Sequence, residues 1–266
     1  MSTRKVQTVR GDVTPQVLGR TLTHEHLCMK FTHFYREPPR EIENNFNEGI
    51  TCSKVGYIRQ YPYSSKYNLL LNDDDARDAV TSDVQLYKAL GGDFERKAIS
   101  AAGELQAQIG CGVSFHPHRD PAAPFEILRL YAEAGGDVSK AVMSHLDRTL
   151  LDPTKLMEFS ELGSYCQFDL FGVEVSYYQL NVDTDMPSDS QRMGMVRQLV
   201  DEGKEDKILL SHDIHTKHRL TKFGGHGYSH IITNVLPRLK HKGVTQEVID
   251  QITIHNPGKW LTMATA

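Results

Sequence analysis

Several of the 13 histidines in this 266-residue chain stand where strands are predicted to end. His24 and His26 are two residues apart in a β-prone run, so an extended backbone points both imidazoles to the same side. His116, His145 and Asp213 lie at the ends of three further apolar runs. Imidazoles and carboxylates are ligands of zinc and similar divalent ions, and a catalytic ion keeps one position open for water. The pattern therefore predicts a metal site that makes hydroxide available near neutral pH.

The alternative for each of these residues is a structural role. A single histidine in a folded protein is more often a hydrogen-bonded structural residue than a metal ligand, but the His24/His26 pair with three more strand-end residues favours the metal. Asp213 has a second candidate role, because a carboxylate beside the ion can accept the proton of an attacking water. We predict that Asp213 is both a ligand and a catalytic residue.

Five short apolar runs are predicted to be the strands that position these residues. Helical patterns follow the runs, and such alternation is typical of a parallel sheet covered by helices. In such folds the carboxyl ends of the strands form the active face. The predicted strands are residues 19–27, 111–116, 140–145, 164–171 and 207–212, and the predicted helices are about 73–90, 93–110, 124–134, 153–162, 191–202 and 245–254.

Residues 28–71 differ from the rest of the chain in being rich in aromatic residues, asparagine and charges. This composition predicts a long elaborated loop, with one short helix at about residues 54–60, that is a candidate lid over the active face.

Composition and length limit the classes of protein. The chain has 30 Lys and Arg against 34 Asp and Glu, is 39% hydrophobic and 24% charged, and is predicted to be soluble and globular. It lacks the basic clusters of a nucleic-acid or anionic-membrane binder, and no run approaches the roughly 18 apolar residues of a membrane span. The four scattered cysteines fit neither a disulfide framework nor a thiolate zinc site. We expect a single domain over residues 1–266, a cytosolic location and a small-molecule substrate.

Longer motifs carry a resemblance to a known family. The segment Gly19-Arg-Thr-Leu-Thr-His-Glu-His-Leu27 resembles the signature of the phosphotriesterase family in the amidohydrolase superfamily. The segments at 144–148 and 211–215 resemble the family's sixth and eighth strands, and those at 224–230 and 256–260 resemble its animal branch. The resemblance covers nearly the whole chain.

The resemblance implies a TIM-type (β/α)8 barrel with a site for two ions, with zinc the expected metal. His24, His26 and Asp213 would hold the more buried ion, and His116 and His145 the more exposed one. A homodimer is also compatible with the resemblance.

The chain departs from the family pattern between residues 27 and 111. No second, third or fourth strand is recognisable there, nor is the carboxylate or carboxylated lysine that bridges the two ions. Glu95, Lys97 and Glu104 fall in the predicted helix and do not replace the bridge. We therefore expect an incomplete barrel with five recognisable strands, a deletion near residues 92/93, and a single ion at His24, His26 and Asp213.

The implied function is hydrolysis of small N-acetylated amino compounds such as N-acetyltaurine. Hydrolysis of phosphotriesters, esters or lactones is one alternative, and a catalytically impaired chain that acts by binding is another. Arg119 is predicted to meet an anionic group of the substrate, and Tyr228, beside a glycine-rich loop, is predicted to contact the substrate.

Two further predictions concern residues beside the candidate ligands. Glu25 points away from His24 and His26 if the segment is extended, so it is predicted to be a structural ion-pair partner. Asp147 and Arg148 are predicted to form a local ion pair.

Overall fold

The computed structural model describes residues 6–8, 11–15, 18–40, 49–90, 92–93, 110–133, 136–175 and 177–263. A four-stranded parallel sheet in the order β5-β6-β7-β8 is its centre. A short parallel pair, β3 with β4, and an antiparallel pair, β1 with β2, lie outside it. The strands are β1 (Val6–Thr8), β2 (Gly11–Val13), β3 (Arg20–Thr21), β4 (Gly92–Asp93), β5 (Val113–Phe115), β6 (Ala141–Met143), β7 (Tyr165–Phe168) and β8 (Ile208–Leu210).

The central strands are apolar on both faces because both faces are buried. Cys166 and Phe168 of β7 face the helices, where they join a large core cluster. Tyr165 of the same strand belongs to a second cluster, with Leu209 and Trp260. This two-residue alternation between two buried faces is the arrangement expected of a parallel sheet covered by helices.

Helices cover the sheet in the order that the sequence pattern predicts. The helix Asp189–Asp201 (α6) begins with a capping box in which Ser188 and Gln191 satisfy each other's backbone N–H groups, and Asp152 caps the helix Pro153–Ser160 (α5). The helices are α1 (Val55–Gln60), α2 (Asp74–Ala89), α3 (Ala123–Glu133), α4 (Leu146–Thr149), α5 (Pro153–Ser160), α6 (Asp189–Asp201), α7 (Leu236–His241), α8 (Gln246–Asp250) and α9 (Asn256–Leu261).

The structure confirms the predicted α/β class and a strand in each of the five predicted runs, the first only over Arg20–Thr21. It corrects the expectation that no strand lies between residues 27 and 111, because β4 is there and pairs in parallel with β3. The sheet does not close into a barrel: among the described strands, β5 and β8 have no partner on their outer sides. The backbone N–H of Asp213, after β8, donates to the carbonyl of His24, after β3, at 3.0 Å, so the two strand ends meet. The predicted helix at 93–110 falls mostly on residues 94–109, which lie outside the described residues together with Glu95, Lys97 and Glu104.

Residues 28–71 form the predicted elaborated loop in their described parts. Lys30 and Leu70 form an isolated bridge that ties the two ends of this loop together. Tyr63 and Leu69 pack with Tyr178 in an aromatic cluster near the carboxyl ends of the strands. The loop therefore lies against the active face. In the described parts of the chain, no helix has the length and apolar character needed to cross a membrane.

A buried charge network fixes α6 to the strand ends. Arg192 donates to Asp147 at 3.0 Å and to Asp189 at 3.0 Å, and it is fully buried. Asp189 also accepts from the ring of His230 at 2.6 Å and from the backbone N–H of Gly172 at 2.8 Å. Asp147 therefore pairs with Arg192, and the predicted ion pair between Asp147 and Arg148 is wrong.

We expect the Asp189→Asn variant to lose less stability in acid than the unmodified protein. Burial raises the pKa of Asp189, but hydrogen bonds from His230 and Gly172, with the charge of Arg192, lower it to about 2 from its ordinary 3.8. Because the folded-state pKa is the lower one, the ionised carboxylate stabilises the fold above about pH 4 and stops doing so as the pH falls toward 2. The contribution is about 2 kcal/mol.

Thermal unfolding between pH 5 and pH 2.5 measures this effect. The melting temperature of the unmodified protein should fall more steeply than that of Asp189→Asn. Asp201→Asn, at an exposed position at the end of the same helix, is the matched control. Parallel curves for the unmodified protein and Asp189→Asn would contradict the assignment.

Candidate metal centre

His24, His26 and Asp213 converge where β3 and β8 end. The Nε2 atom of His26 lies 3.0 Å from Oδ1 of Asp213, and Nε2 of His24 lies 3.3 Å from the same oxygen. The His24 and His26 rings are 5.4 Å apart between centroids. The structure thus brings together the three residues predicted to hold the more buried ion.

His116 and His145 form a second part of the centre, after β5 and β6. Nε2 of His145 lies 2.8 Å from Nδ1 of His116, and the ring centroids of His145 and His24 are 5.2 Å apart. The guanidinium of Arg148 lies 3.3 Å from Nε2 of His116. Burial, together with the nearby His145 and Arg148, lowers the pKa of His116 to about 3. His116 is therefore neutral, and both of its nitrogens face protein groups.

Asp169, directly after β7, binds both histidine groups from behind. Its Oδ2 accepts from Nδ1 of His24 at 2.9 Å, and its Oδ1 accepts from Nδ1 of His145 at 2.6 Å. Gln167 donates to the same carboxylate at 2.7 Å. Because Asp169 binds both Nδ1 atoms, it fixes the two rings with Nε2 directed away from it. Sequence reasoning missed this residue; its signal is a lone carboxylate within an apolar strand pattern.

The backbone is strained at two of the candidate ligands. His145 has φ = 58° and Asp213 has φ = 51°, and they are the positive-φ residues other than glycine in the described chain. Each such conformation costs about 1–3 kcal/mol and persists only where the surroundings enforce it. Asp169 contributes to this at His145, because its Oδ1 also accepts from the backbone N–H of His145 at 3.0 Å. Both residues turn the chain sharply at a strand end, which directs their side chains to the centre.

The charges at the centre favour a cation between His24 and Asp213. Burial lowers the pKa of His24, but Asp213 and the hydrogen bond to Asp169 outweigh it and raise this pKa to about 10. Burial raises the pKa of Asp213, but the neighbouring His24 and His215 hold it well below its ordinary value. Two carboxylates therefore stabilise one positive charge on the His24 ring. A divalent ion bound to Nε2 would occupy the same electrostatic position as that proton.

One group of donors in the described chain is compact enough to hold an ion. Single ligand atoms of His24, His145 and Asp213 all lie within 4.8 Å of one another. This differs from the predicted single-ion set of His24, His26 and Asp213, because His145 takes the place of His26 in the compact group. His26 contacts this group through Asp213, and His116 contacts it through His145. Two imidazoles and a carboxylate, with a further imidazole adjacent, match the donor set of a catalytic divalent ion. The residues present therefore fit the metal.

Glu25 has the structural role that the alternation predicts. Its Oε1 accepts from Nδ1 of His212 at 2.7 Å, and its Oε2 accepts from the backbone N–H of Ile214 at 3.0 Å. His212 is buried, and its Nε2 accepts from the backbone N–H of Ile231 at 3.1 Å. The pair fixes the β8 end on either side of Asp213 and is not a ligand pair.

The two predicted substrate contacts have different surroundings. Arg119 is half-buried, and its guanidinium donates to the hydroxyl of Tyr178 at 2.8 Å, on the His116 side of the centre. Tyr228 is fully buried, and its hydroxyl donates to the backbone carbonyl of His26 at 2.8 Å. Since Tyr228 packs inside the protein, its position supports a role in holding His26 and not the predicted contact with substrate.

A cleft that is partly open to solvent adjoins the centre on the side of His215. His215 forms the wall between the cleft and the centre: its ring lies 3.4 Å from Oδ2 of Asp213 and stacks on Tyr63. Other lining residues come from α1, from the segment after β7 and from the loop after β8, including Arg59, Glu174, His218, Arg219 and His226. The cleft is therefore a candidate binding space for a small molecule beside the centre.

Comparisons with known proteins agree with the fold and the motifs. The sequence model of the phosphotriesterase family matches residues 4–93 and 71–261. The phosphotriesterase-related protein of Drosophila melanogaster is 44% identical to this chain, over 96% of the chain and 98% of that protein. The corresponding protein of Drosophila mojavensis is 43% identical, over 97% and 99%.

Solved structures are similar in fold. A resiniferatoxin-binding protein from Rhodobacter sphaeroides aligns with a TM-score of 0.86 at 22% identity, over 97% of this chain and 94% of that one. A lactonase from Listeria monocytogenes aligns with a TM-score of 0.69 at 16% identity, over 98% and 100%. A phosphotriesterase from Mycobacterium tuberculosis aligns with a TM-score of 0.65 at 18% identity, over 98% and 100%. These likenesses confirm the TIM-type α/β fold class.

Proposed function

The chain belongs to the phosphotriesterase family of hydrolases, and from this we propose that it is a zinc-dependent hydrolase of small N-acetylated amino compounds. The observation that carries the proposal is the group formed by His24, His145 and Asp213, whose donor atoms lie within 4.8 Å of one another at the ends of three strands. The family supports hydrolysis, and the group of donors supports its location at these strand ends.

The residues divide the work between holding an ion and moving a proton. His24, His145 and Asp213, with His26 adjacent, would hold the ion. A divalent ion in such a site supplies activation of water and polarisation of the scissile carbonyl. Asp213 accepts the proton of the attacking water at its carboxylate and returns it to the departing nitrogen, so that amide hydrolysis is balanced.

The substrate class rests on the animal relatives. The 43–44% identical proteins of Drosophila are phosphotriesterase-related proteins, and their branch is the one that the motifs at 224–230 and 256–260 resemble. We propose N-acetyltaurine as the first substrate to test. The alternatives are lactones and phosphotriesters, since solved structures of similar fold include a lactonase and a phosphotriesterase.

We also propose that a block of the family barrel is absent at about residues 92/93. The family match divides into residues 4–93 and 71–261, which supports a discontinuity in this region. The alignment with the Drosophila melanogaster relative extends over 343 positions against 266 residues here, which leaves at least 77 positions without a residue of this chain. The pairing of β4 at Gly92–Asp93 with β3 is consistent with a shortened connection.

A chain without the bridging ligand should bind one zinc ion and not two. The second cation would lie close to the first without an anion between them, and the guanidinium of Arg148 beside His116 opposes it further. We expect native mass spectrometry of the zinc-loaded protein to show one equivalent. The His145→Ala variant should lose this ion, whereas His116→Ala should retain it. Two tightly bound equivalents would contradict the single-ion proposal.

The hydrolase proposal is tested by release of acetate from N-acetyltaurine by the zinc-loaded, folded protein. A simple lactone and a phosphotriester are assayed in parallel, each with the His24→Ala variant as the comparison. Hydrolysis of N-acetyltaurine that is lost in His24→Ala supports the proposal. Absence of all three activities from folded protein would favour the alternative, a catalytically impaired chain that acts by binding.

The cytosolic location, the lack of nucleic-acid and membrane partners, and the homodimer stay predictions from the sequence.

A further inference from the structure

The cleft beside the centre has a distinct charge pattern in its lining. It contains two guanidinium groups, Arg59 and Arg219, against one carboxylate, Glu174. Glu174 is already engaged, because its Oε1 accepts from the backbone N–H of Asp189 at 2.9 Å at the start of α6. The cleft therefore has an excess of positive charge in an apolar wall that includes Phe171.

Arg219 is held by the backbone through both ends of its guanidinium. Its NH1 donates to the carbonyl of Asp213 and its NH2 to the carbonyl of Phe171, both at 2.8 Å, and the residue is 6% exposed. No carboxylate pairs with it among the residues that the structure describes. Gly225 packs directly on its backbone, where a Cβ would lie 2.1 Å from the Arg219 carbonyl carbon and oxygen. Arg219 is thus a fixed cation at the base of the cleft.

Arg59 is the contrasting case. It lies near the end of α1, in the loop region that covers the active face, and its side chain is exposed at the cleft. Within the described ranges of the chain its guanidinium makes neither a hydrogen bond nor an ion pair. Its guanidinium therefore offers several N–H donors toward the cleft, in the fork geometry that matches the oxygens of a carboxylate, sulfonate or phosphate.

The histidines that line the cleft are less suited than Arg59 to bind an anion. Nδ1 of His218 donates to the side-chain oxygen of Asn68 at 3.0 Å, and Nδ1 of His215 donates to the carbonyl of Asp213 at 2.7 Å. Nε2 of His215 lies 3.3 Å from the hydroxyl of Tyr63, so both nitrogens of that ring have partners, and burial holds the pKa of His218 well below its ordinary value. His226 stacks on His230 with 4.1 Å between centroids, and burial, with the neighbouring His230, lowers its pKa.

We infer that this cleft is an anion subsite in which Arg59 binds the charged end of the substrate. The inference rests on the proposed hydrolase function and deepens it, because it assigns the substrate class to small anionic molecules. It also moves the anion contact from Arg119, which does not line the cleft and donates to Tyr178, to Arg59. His215 lines the cleft and lies 3.4 Å from Oδ2 of Asp213, so the subsite adjoins the centre.

Binding is tested apart from hydrolysis with two sulfonamides that a hydrolase of amides does not cleave. The anionic probe is 2-(methylsulfonylamino)ethanesulfonate, and the neutral probe carries a methylsulfonyl group in place of the sulfonate. Calorimetry is carried out on the zinc-loaded protein. We expect Arg59→Gln to lower the affinity for the anionic probe about 10- to 100-fold and to change the affinity for the neutral probe by no more than about twofold. Arg59→Lys should keep part of the preference for the anionic over the neutral probe. Arg77→Gln, at an exposed salt bridge on α2, should keep all of that preference.

The outcomes separate this inference from the hydrolase proposal. Preference for the anionic probe that is lost in Arg59→Gln supports the subsite even if no substrate is hydrolysed. Equal binding of the two probes by the unmodified protein overturns it even if N-acetyltaurine is hydrolysed. Loss of the preference in Arg119→Gln and not in Arg59→Gln also overturns it and returns the anion contact to Arg119.

Discussion

The Asp213→Asn variant is expected to lose its bound metal and to hydrolyse substrate about 10²–10⁴-fold more slowly than the unmodified protein. The carboxylate lies 3.3 and 3.0 Å from His24 and His26, so its replacement removes the negative donor that faces both imidazoles. Asparagine is the informative replacement for two reasons. It has the same shape, and it tolerates the left-handed backbone that Asp213 adopts with φ = 51° better than most residues.

The variant isolates the charge of Asp213 from its packing. Its melting temperature in the metal-free state should therefore stay close to that of the metal-free unmodified protein. Its zinc content, measured by mass spectrometry after dialysis, should fall. A second measurement is the pKa of the His24 imidazole. This pKa is about 10, because Asp213 and Asp169 raise it by more than burial lowers it. In metal-free Asp213→Asn, nuclear magnetic resonance should find this pKa lowered.

The control for Asp213→Asn is His255→Gln, at an exposed position before α9 and remote from the centre. It should retain both the zinc and the activity. Full zinc content and activity in Asp213→Asn would remove Asp213 from the centre and with it the proposed proton transfer.

The positions of the candidate ligands could be predicted because they follow from strand periodicity. Alternation in extended backbone predicted that His24 and His26 share a side, and the common edge of parallel strands predicted that they meet Asp213. In the structure β3 ends at Thr21, so both histidines lie in the segment that follows the strand. The structure places His26 and His24 around the Asp213 carboxylate as this reasoning requires. The same local rules predicted that Glu25 would turn to the other side, where it pairs with His212.

The relations between neighbouring side chains could not be predicted in the same way. Asp147 and Arg148 are adjacent in sequence, but the short α4 directs them apart, so that Asp147 pairs with Arg192 and Arg148 faces His116. These partners are 45 and 32 residues away along the chain, and no local pattern specifies them.

Asp169 was missed for a related reason. Its sequence neighbours are apolar core residues such as Phe168 and Phe171, and its partners His24 and His145 come from other strands. A carboxylate in such a run is costly unless it is paired, since burial disfavours its ionised form. An unexplained carboxylate in a predicted core strand that ends at an active face is therefore itself a signal of a partner among the candidate ligands.

Asp169 supports the prediction with the largest expected effect after that of Asp213. The Asp169→Asn variant should bind zinc about 10- to 100-fold more weakly, which is the range found when partners behind metal ligands are removed. Both oxygens of Asp169 accept: Oδ1 from the ring and backbone of His145, and Oδ2 from His24 and Gln167. An amide has one accepting side only. Whichever way it is turned, its NH2 group faces the N–H groups of one histidine or the other.

In Asp169→Asn the ring of His24 or of His145 loses the hydrogen bond that had fixed it. The backbone of His145 also depends on this side chain, because Oδ1 of Asp169 accepts from its N–H group and helps to hold it at φ = 58°. A merely structural role predicts lower stability with unchanged zinc affinity per folded molecule, so the affinity is measured by competition with a chelator well below the melting temperature. Asp83→Asn is the matched control, because Asp83 is also a buried carboxylate, with its hydrogen bonds from Thr221 and no contact with the centre. Equal zinc affinities in the two variants would reduce Asp169 to a packing residue, whereas a selective loss in Asp169→Asn establishes that one carboxylate positions ligands from two strands.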